Sequence, residues 1–151
     1  MGLNEEFELL RRIPMFARVE PAKLKLLAFT SERVVYAPDQ ELFHQGDQPD
    51  ACYIIVDGDA AVMVDTPSGP LTVARIGKNE FVGEIGVLCD VPRTATVKAL
   101  TALTTLRITK DIFFRMVSDF PTMGVEIMRV LAHRLEQTTN QLRDAKAATR
   151  H

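Results

Sequence analysis

The N-terminal part of the chain places apolar side chains at the three- and four-residue spacing that one face of an α-helix requires. The positions are Phe7, Leu10 and Ile13, followed by Leu24, Leu27 and Ala28. Asn4 is suited to cap the first helix, and Pro21 is suited to the first turn of the second. The pattern therefore predicts two short helices within residues 4–29.

Residues 32–108 carry a different pattern, in which short apolar or alternating runs are separated by turn residues. The predicted strands are residues 33–36, 41–44, 51–56, 60–64, 71–76, 95–100 and 103–108. The sequence Asp57-Gly58-Asp59 between two of these runs predicts a tight hairpin. About eight short strands with regular turns indicate a mainly β domain, an eight-stranded β-roll or jelly roll, rather than a parallel α/β sheet.

The last third of the chain returns to helical spacing. A short helix is predicted from Lys110 to Val117, and Pro121 opens a longer one that reaches about Ala145. Its apolar stripe consists of Met128, Leu131, Leu135, Thr138, Leu142 and Ala145. Such a stripe can pack against its own domain, but this one extends past a small roll, so a parallel two-helix homodimer is favoured. We expect one domain over residues 1–145 and a disordered tail over 146–151.

Residues 81–97, with the sequence FVGEIGVLCDVPRTATV, combine features that suit an anionic ligand. Gly83 has no Cβ and permits close approach of backbone. A helical turn from Glu84 to Leu88 would present unpaired N–H groups, and Arg93 supplies a planar cationic fork that matches phosphate. The alternative is that Glu84 and Arg93 form only a structural salt bridge, which by itself would contribute little stability.

This segment resembles the phosphate-binding cassette of cyclic-nucleotide-binding domains, the modules of the catabolite activator protein, of cAMP- and cGMP-dependent kinases and of gated channels. The matching positions are Phe81, Gly83, Glu84, Ile85, Arg93, Ala95 and Thr96. The resemblance implies that Arg93 pairs with the cyclic phosphate and that Glu84 accepts a hydrogen bond from the ribose 2′-hydroxyl. It also implies that backbone N–H groups near Ile85, Gly86 and Ala95 complete the cradle.

The identity of the base is left open between adenine and guanine. Thr138 and Thr139 lie where the catabolite activator protein has a Thr-Ser pair that reaches adenine from the dimerisation helix, which favours cAMP. Thr94 resembles the residue that contacts guanine in cGMP-selective members, which permits cGMP. Each threonine also has a purely structural interpretation, as a helix-seam or strand-start residue.

Composition excludes several classes of protein. A formal net charge of −2 and a pI near 5.9 do not favour binding to nucleic acid or to an anionic membrane. No apolar run approaches the length of a membrane span, and the acidic N-terminus is unlike a signal peptide. Cys52 and Cys89 have no metal-binding spacing, and His44 and His133 lack partner ligands. We therefore expect a cytoplasmic protein with reduced cysteines and no metal or cofactor.

These observations lead to one main hypothesis and two alternatives. The main one is a non-enzymatic sensor for signal transduction, in which the terminal helix closes over a cyclic nucleotide and an unknown protein receives the signal. Direct DNA binding is not expected, since the residues after Ala145 are too few for a helix-turn-helix domain. The alternatives are a ligand-free dimeric scaffold and a phosphodiesterase, and no nucleophile, metal-ligand or Walker motif supports the latter.

Overall fold

The computed structural model describes residues 3–13, 16–17, 19–121, 124–125, 128–129, 131–133, 135–136, 139–140 and 143. Its helices are α1 (Leu3–Arg11), α2 (Pro21–Thr30), α3 (Glu84–Cys89) and α4 (Lys110–Asp119). The apolar residues predicted for α2, namely Leu24, Leu27 and Ala28, are all buried. The helical predictions for residues 4–29 and for the segment after 110 are confirmed at these positions.

The strands are β1 (Glu32–Tyr36), β2 (Glu41–Phe43), β3 (Ala51–Asp57), β4 (Ala60–Thr66), β5 (Gly69–Ile76), β6 (Phe81–Val82), β7 (Thr96–Ala99) and β8 (Leu103–Thr109). They form two antiparallel four-stranded sheets, ordered β1-β8-β3-β6 and β2-β7-β4-β5. The predicted mainly β fold with flanking helices is confirmed. Strand β6 was not anticipated, because two residues are too few to show an alternating pattern.

The first sheet has two differently occupied faces. Alternate residues of β3 point to opposite sides: Cys52, Ile54 and Val56 pack with α1, α2 and α4, and Ala51, Tyr53 and Ile55 pack with the second sheet. The helix-side core contains Phe16, Phe81 and Phe113, whose rings lie 5.8 to 6.4 Å from their neighbours. This core packs the helices against one face of the first sheet, and the interior of the roll lies on the other face.

Beyond α4, the backbone is helical at residues 121, 124–125, 128–129, 131–133, 135–136, 139–140 and 143. Leu131 packs against the helix-side core, whereas Val125, Met128 and Leu135 are exposed. A continuous helix to about Ala145 and the disordered tail remain predictions, as they involve positions outside the described residues. Thr138 is also outside them. No described helix has both the length and the apolar character needed to cross a membrane.

Candidate functional site

The junction between β6 and α3 depends on Gly83. Its φ of +89° lies in the left-handed region, which glycine adopts without strain. A Cβ at this position would lie 2.9 Å from Arg93 Nη1 and 3.3 Å from Phe43 Cε2. The first contact is shorter than real Cβ atoms make, so glycine is required both by the backbone angle and by the arginine beside it.

The backbone of Arg93 is held by the turn that follows β2. Arg93 N donates to Asp47 O, and Gly46 N donates to Arg93 O, both at 2.8 Å. Gly46 itself has a φ of +93°, in the left-handed region that glycine adopts without strain. These reciprocal hydrogen bonds fix where the arginine side chain enters the roll.

The Arg93 side chain points into the protein and is almost wholly buried, with the residue 3% exposed. Its Nη1 donates to Gly83 O at 2.9 Å, and its Nη2 donates to Ala51 O. The ring of Phe43 lies over the guanidinium at 4.0 Å from its centroid, a distance typical of a cation–π contact. The remaining donor, Nε, is buried and has no hydrogen-bond partner among the described residues.

A carboxylate and a second arginine lie beside this group. Asp50 Oδ1 is 3.5 Å from Arg93 Nη2, and Asp50 Oδ2 is 3.0 Å from Arg107 Nη2. Arg107 also pairs with Glu32 at 3.4 Å. Partial burial acts to lower the pKa of Arg107, whereas hydrogen bonds to Asp50 and Tyr53 act to raise it. The net effect is a raised pKa. The two guanidinium groups lie on either side of one carboxylate.

Glu84 is the first residue of α3 and is 1% exposed. The charge of Glu84 affects the buried thiol of Cys52. Burial raises the pKa of this thiol, the charge of Glu84 raises it further, and the charge of Arg93 lowers it. Arg93 Nη1 donates to the carbonyl of Gly83, the residue directly before Glu84. The two charged residues therefore lie near each other, and they are buried more completely than the sequence suggested.

The other predicted site residues differ in burial and in position. Gly86 lies next to Arg93, since a Cβ there would be 3.4 Å from Nη1, whereas Ala95 is half-buried and Thr94 is exposed. Ile85 is helical, but its side chain is outside the described part. Thr139 is exposed, and its hydroxyl donates to Leu135 O at 2.9 Å. The hydroxyl thus bonds to its own helix.

Four participants were missed by sequence reasoning: Phe43, Asp50, the carbonyl of Ala51, and Arg107. Asp50 directly precedes the buried strand β3, and a carboxylate in that position was a usable signal. Nothing local marked Phe43 or Arg107, because Phe43 is more than thirty residues from Arg93 in sequence and Arg107 reaches the site through strand pairing.

The described residues outside the cassette offer neither a metal centre nor a second defined ligand site. Within the described part of the chain, no group of three or more His, Cys, Asp or Glu residues could hold a metal ion. An open cleft of about 660 Å³ lies between α1 and the first sheet, lined by Glu5, Leu9, Arg33 and Asp57 among others. Its lining does not include the cassette residues, and its mixed charges indicate no particular ligand.

The fold and the buried arginine beside a glycine-led turn define a small-ligand regulatory domain. The family model "Cyclic nucleotide-binding domain" matches residues 33–120. The chain belongs to this family, and the resemblance of its cassette is confirmed at the level of the domain.

Two relatives and one solved structure are similar to this chain. A CRP-like cAMP-activated global transcriptional regulator from Mycobacterium tuberculosis is 28% identical over 91% of this chain and 62% of its own length. An uncharacterised NTE family protein from Mycobacterium bovis is 31% identical over 93% of this chain and 23% of its own length. The regulatory domain of Toxoplasma gondii PKA, co-crystallised with cAMP, superposes with a TM-score of 0.77 at 16% identity, over 86% of this chain and 50% of that one.

The chain spans less than two thirds of the length of both relatives. What it shares with them is an aligned segment of 138 residues in the first and 141 residues in the second.

Proposed function

We propose that this chain is a non-enzymatic regulatory domain that binds a cyclic nucleotide, with cAMP preferred over cGMP, inside its β-roll. The observation that carries the proposal is the Arg93 guanidinium. It is a buried cation whose Nε has no partner among the described residues. A buried donor without a partner is costly, and a phosphate oxygen at Nε would remove that cost.

The phosphate would be held by charge and by geometry. A hydrogen bond to a charged group contributes roughly 1.5–3 kcal/mol net, and a guanidinium offers its donors in a fixed plane. Because Arg93 is 3% exposed, phosphate entry requires neighbouring side chains to shift. Backbone N–H groups at the start of α3, near Ile85 and Gly86, would add further donors.

The ribose would be recognised by Glu84. Its carboxylate is buried close to the same strand as Arg93, and a buried carboxylate is a strong acceptor for a hydroxyl. A ligand with the phosphate and the 2′-hydroxyl on the same ring would satisfy both residues at once. This pairing would distinguish a ribose cyclic phosphate from a simple anion.

The base would be contacted by the C-terminal helix. The Thr139 hydroxyl donates to Leu135 O and can still accept a hydrogen bond from an adenine amino group, and we assign a second contact to Thr138, its neighbour in sequence. Replacing Thr138 by valine is expected to reduce the ratio of cAMP to cGMP affinity by about tenfold, the loss expected for one hydrogen bond. An unchanged ratio in Thr138→Val would remove this assignment and leave Thr94 as the residue that sets base preference.

Helix-mediated homodimerisation is part of the proposal. Val125, Met128 and Leu135 are exposed apolar residues at helical spacing, and a second copy of the helix would cover them. Light scattering of the full chain with and without cAMP tests this directly. A monomer under both conditions would contradict it.

The deciding experiment is calorimetric titration with cAMP and cGMP of the wild type, Arg93→Ala and the control Arg75→Ala. Arg75 lies on β5, is exposed and carries the same charge. We expect micromolar or tighter binding to the wild type and the control, and at least a hundredfold loss in Arg93→Ala, equal to about 2.7 kcal/mol. Equal binding by all three proteins would refute the site.

A ligand-free scaffold of the same fold is the second candidate. The observation in its favour is that Arg93 is covered and that two of its nitrogens already donate to carbonyl groups. Absence of heat with either nucleotide, in folded protein freed of carried-over ligand, would establish this candidate. Hydrolysis of cAMP on prolonged incubation would instead contradict the non-enzymatic assignment.

A further inference from the structure

We propose that Asp50 competes with the ligand phosphate for Arg93, and that Arg107 is a positioning residue that holds Asp50 away so that the site can be occupied. This inference rests on the proposed function, because it assigns the regulation of that same site. Asp50 and Arg107 both lie outside the cassette, the first directly before β3 and the second on β8.

Arg93 does not need Asp50 for its orientation. Its Nη1 is fixed by Gly83 O, its Nη2 by Ala51 O, and its plane by the ring of Phe43 at 4.0 Å. Among the polar contacts of this side chain with described residues, the one with Asp50 is the longest, at 3.5 Å. A contact at that distance adds attraction between charges but little directional constraint.

Asp50 is attached more closely to Arg107. The Asp50–Arg107 distance is 3.0 Å against 3.5 Å to Arg93. The Asp50 side chain is 66% exposed, whereas that of Arg107 is 24% exposed and that of Arg93 is 2% exposed. The carboxylate is thus the more solvent-exposed partner between two better-buried cations, and rotation of its side chain would transfer it from one to the other.

Arg107 is itself held in place from several directions. It pairs with Glu32 of β1 at 3.4 Å, and it lies opposite Tyr53 in the β3–β8 register. Tyr53 is 4% exposed and lies beside Phe43, with 6.1 Å between ring centroids. Arg107 therefore presents its guanidinium to Asp50 from a fixed position beside the roll interior.

The consequence is a competition between two anions. A cyclic phosphate at Arg93 and the Asp50 carboxylate repel each other, and the repulsion falls when Asp50 turns fully to Arg107. If Arg107 is removed, the ion-pair partner left to Asp50 among the described residues is Arg93. Asp50 then occupies the cation that the ligand needs.

The test is a double-mutant cycle on the full chain with wild type, Arg107→Gln, Asp50→Asn and the double variant, titrated with cAMP. We expect Arg107→Gln to weaken binding about fivefold and Asp50→Asn to tighten it about twofold, with the double variant close to Asp50→Asn, as coupled neighbours behave. Arg33→Gln, an exposed charge on the neighbouring strand β1, is the matched control and should bind like the wild type.

The outcomes separate the possible failures. If the wild type binds neither cAMP nor cGMP, the proposed function fails and this inference fails with it. If the wild type binds, but Arg107→Gln is unaffected, or its loss persists in the double variant, only the competition is overturned. Weaker binding by Asp50→Asn would also overturn it, since Asp50 would then support Arg93 rather than compete for it. Rescue by Asp50→Asn cannot arise from misfolding caused by Arg107→Gln.

Discussion

The two faces of strand β3 show how one strand serves two purposes. On the helix side, Cys52, Ile54 and Val56 enter a core made of apolar side chains. On the roll side, Ala51 and Tyr53 lie next to Arg93, Asp50 and Arg107, and the carbonyl of Ala51 is itself a hydrogen-bond acceptor for the site. Stability should therefore depend mainly on the first face and ligand affinity on the second.

The largest expected effect comes from the helix side. Phe113 is 0% exposed and contacts Phe81, so Phe113→Ala should lower the free energy of unfolding by about 3–5 kcal/mol through lost burial and a cavity. Denaturant unfolding measures this. The control is the neighbouring Phe114→Ala, which is 39% exposed and should cost about 1 kcal/mol. Similar losses in the two variants would contradict the assigned core.

The next effect belongs to the roll side and should appear mainly in affinity. Gly83→Ala places a Cβ 2.9 Å from Arg93 Nη1, so cAMP affinity should fall by about tenfold or more, equal to at least 1.4 kcal/mol. Gly69→Ala is the matched control, with a φ of +112° but no atom within 4 Å of the added Cβ. Both variants carry backbone strain, and only the first displaces the arginine. Equal cAMP affinities in Gly83→Ala and Gly69→Ala would contradict the displacement of Arg93.

A smaller effect is expected for Phe43, which lies over the Arg93 guanidinium. Phe43→Leu keeps an apolar side chain but removes the aromatic face, and cation–π contacts contribute about 0.5–1 kcal/mol at partly exposed sites. Titration should show a two- to fivefold loss of cAMP affinity. Phe29→Leu, at a position 73% exposed on α2, should leave affinity unchanged. A loss in the control variant would point to a general effect of the substitution.

The smallest expected effect is a pH dependence near the roll. A hydrogen bond to Glu41 and the negative charge of Glu41 raise the pKa of His44 above its ordinary value of 6.5. The charges of Asp65 and Asp47 act in the same direction, and burial acts against them. A raised folded-state pKa means that protonated His44 stabilises the fold below about pH 6.5 and that this contribution is lost as the pH rises through the folded pKa. The stability of the wild type and of His44→Gln is measured by thermal melts from pH 5 to 8. The advantage of the wild type over the variant should decrease as the pH rises. A constant difference would contradict the pairing.

The sequence patterns predicted the longer helices and strands well. The helix at Pro21 and the strands around residues 51–56 and 103–108 appear with bounds shifted by only a residue or two. Short elements were less visible: β6 has two residues, and β7 begins at Thr96 rather than Ala95. Two-residue strands exist because their neighbours pair with them, as Phe81 pairs with Ile54.

The cassette could be predicted from local sequence, because glycine, a short helical turn and an arginine lie within one continuous segment and their spacing is enough to relate them. The surroundings of the arginine, in contrast, depend on tertiary contacts. Asp50 and Ala51 lie 43 and 42 residues from Arg93, and they reach it because β3 pairs with β6 and β8. Contacts between distant strands depend on register and on the closing of the roll, and no local pattern specifies either.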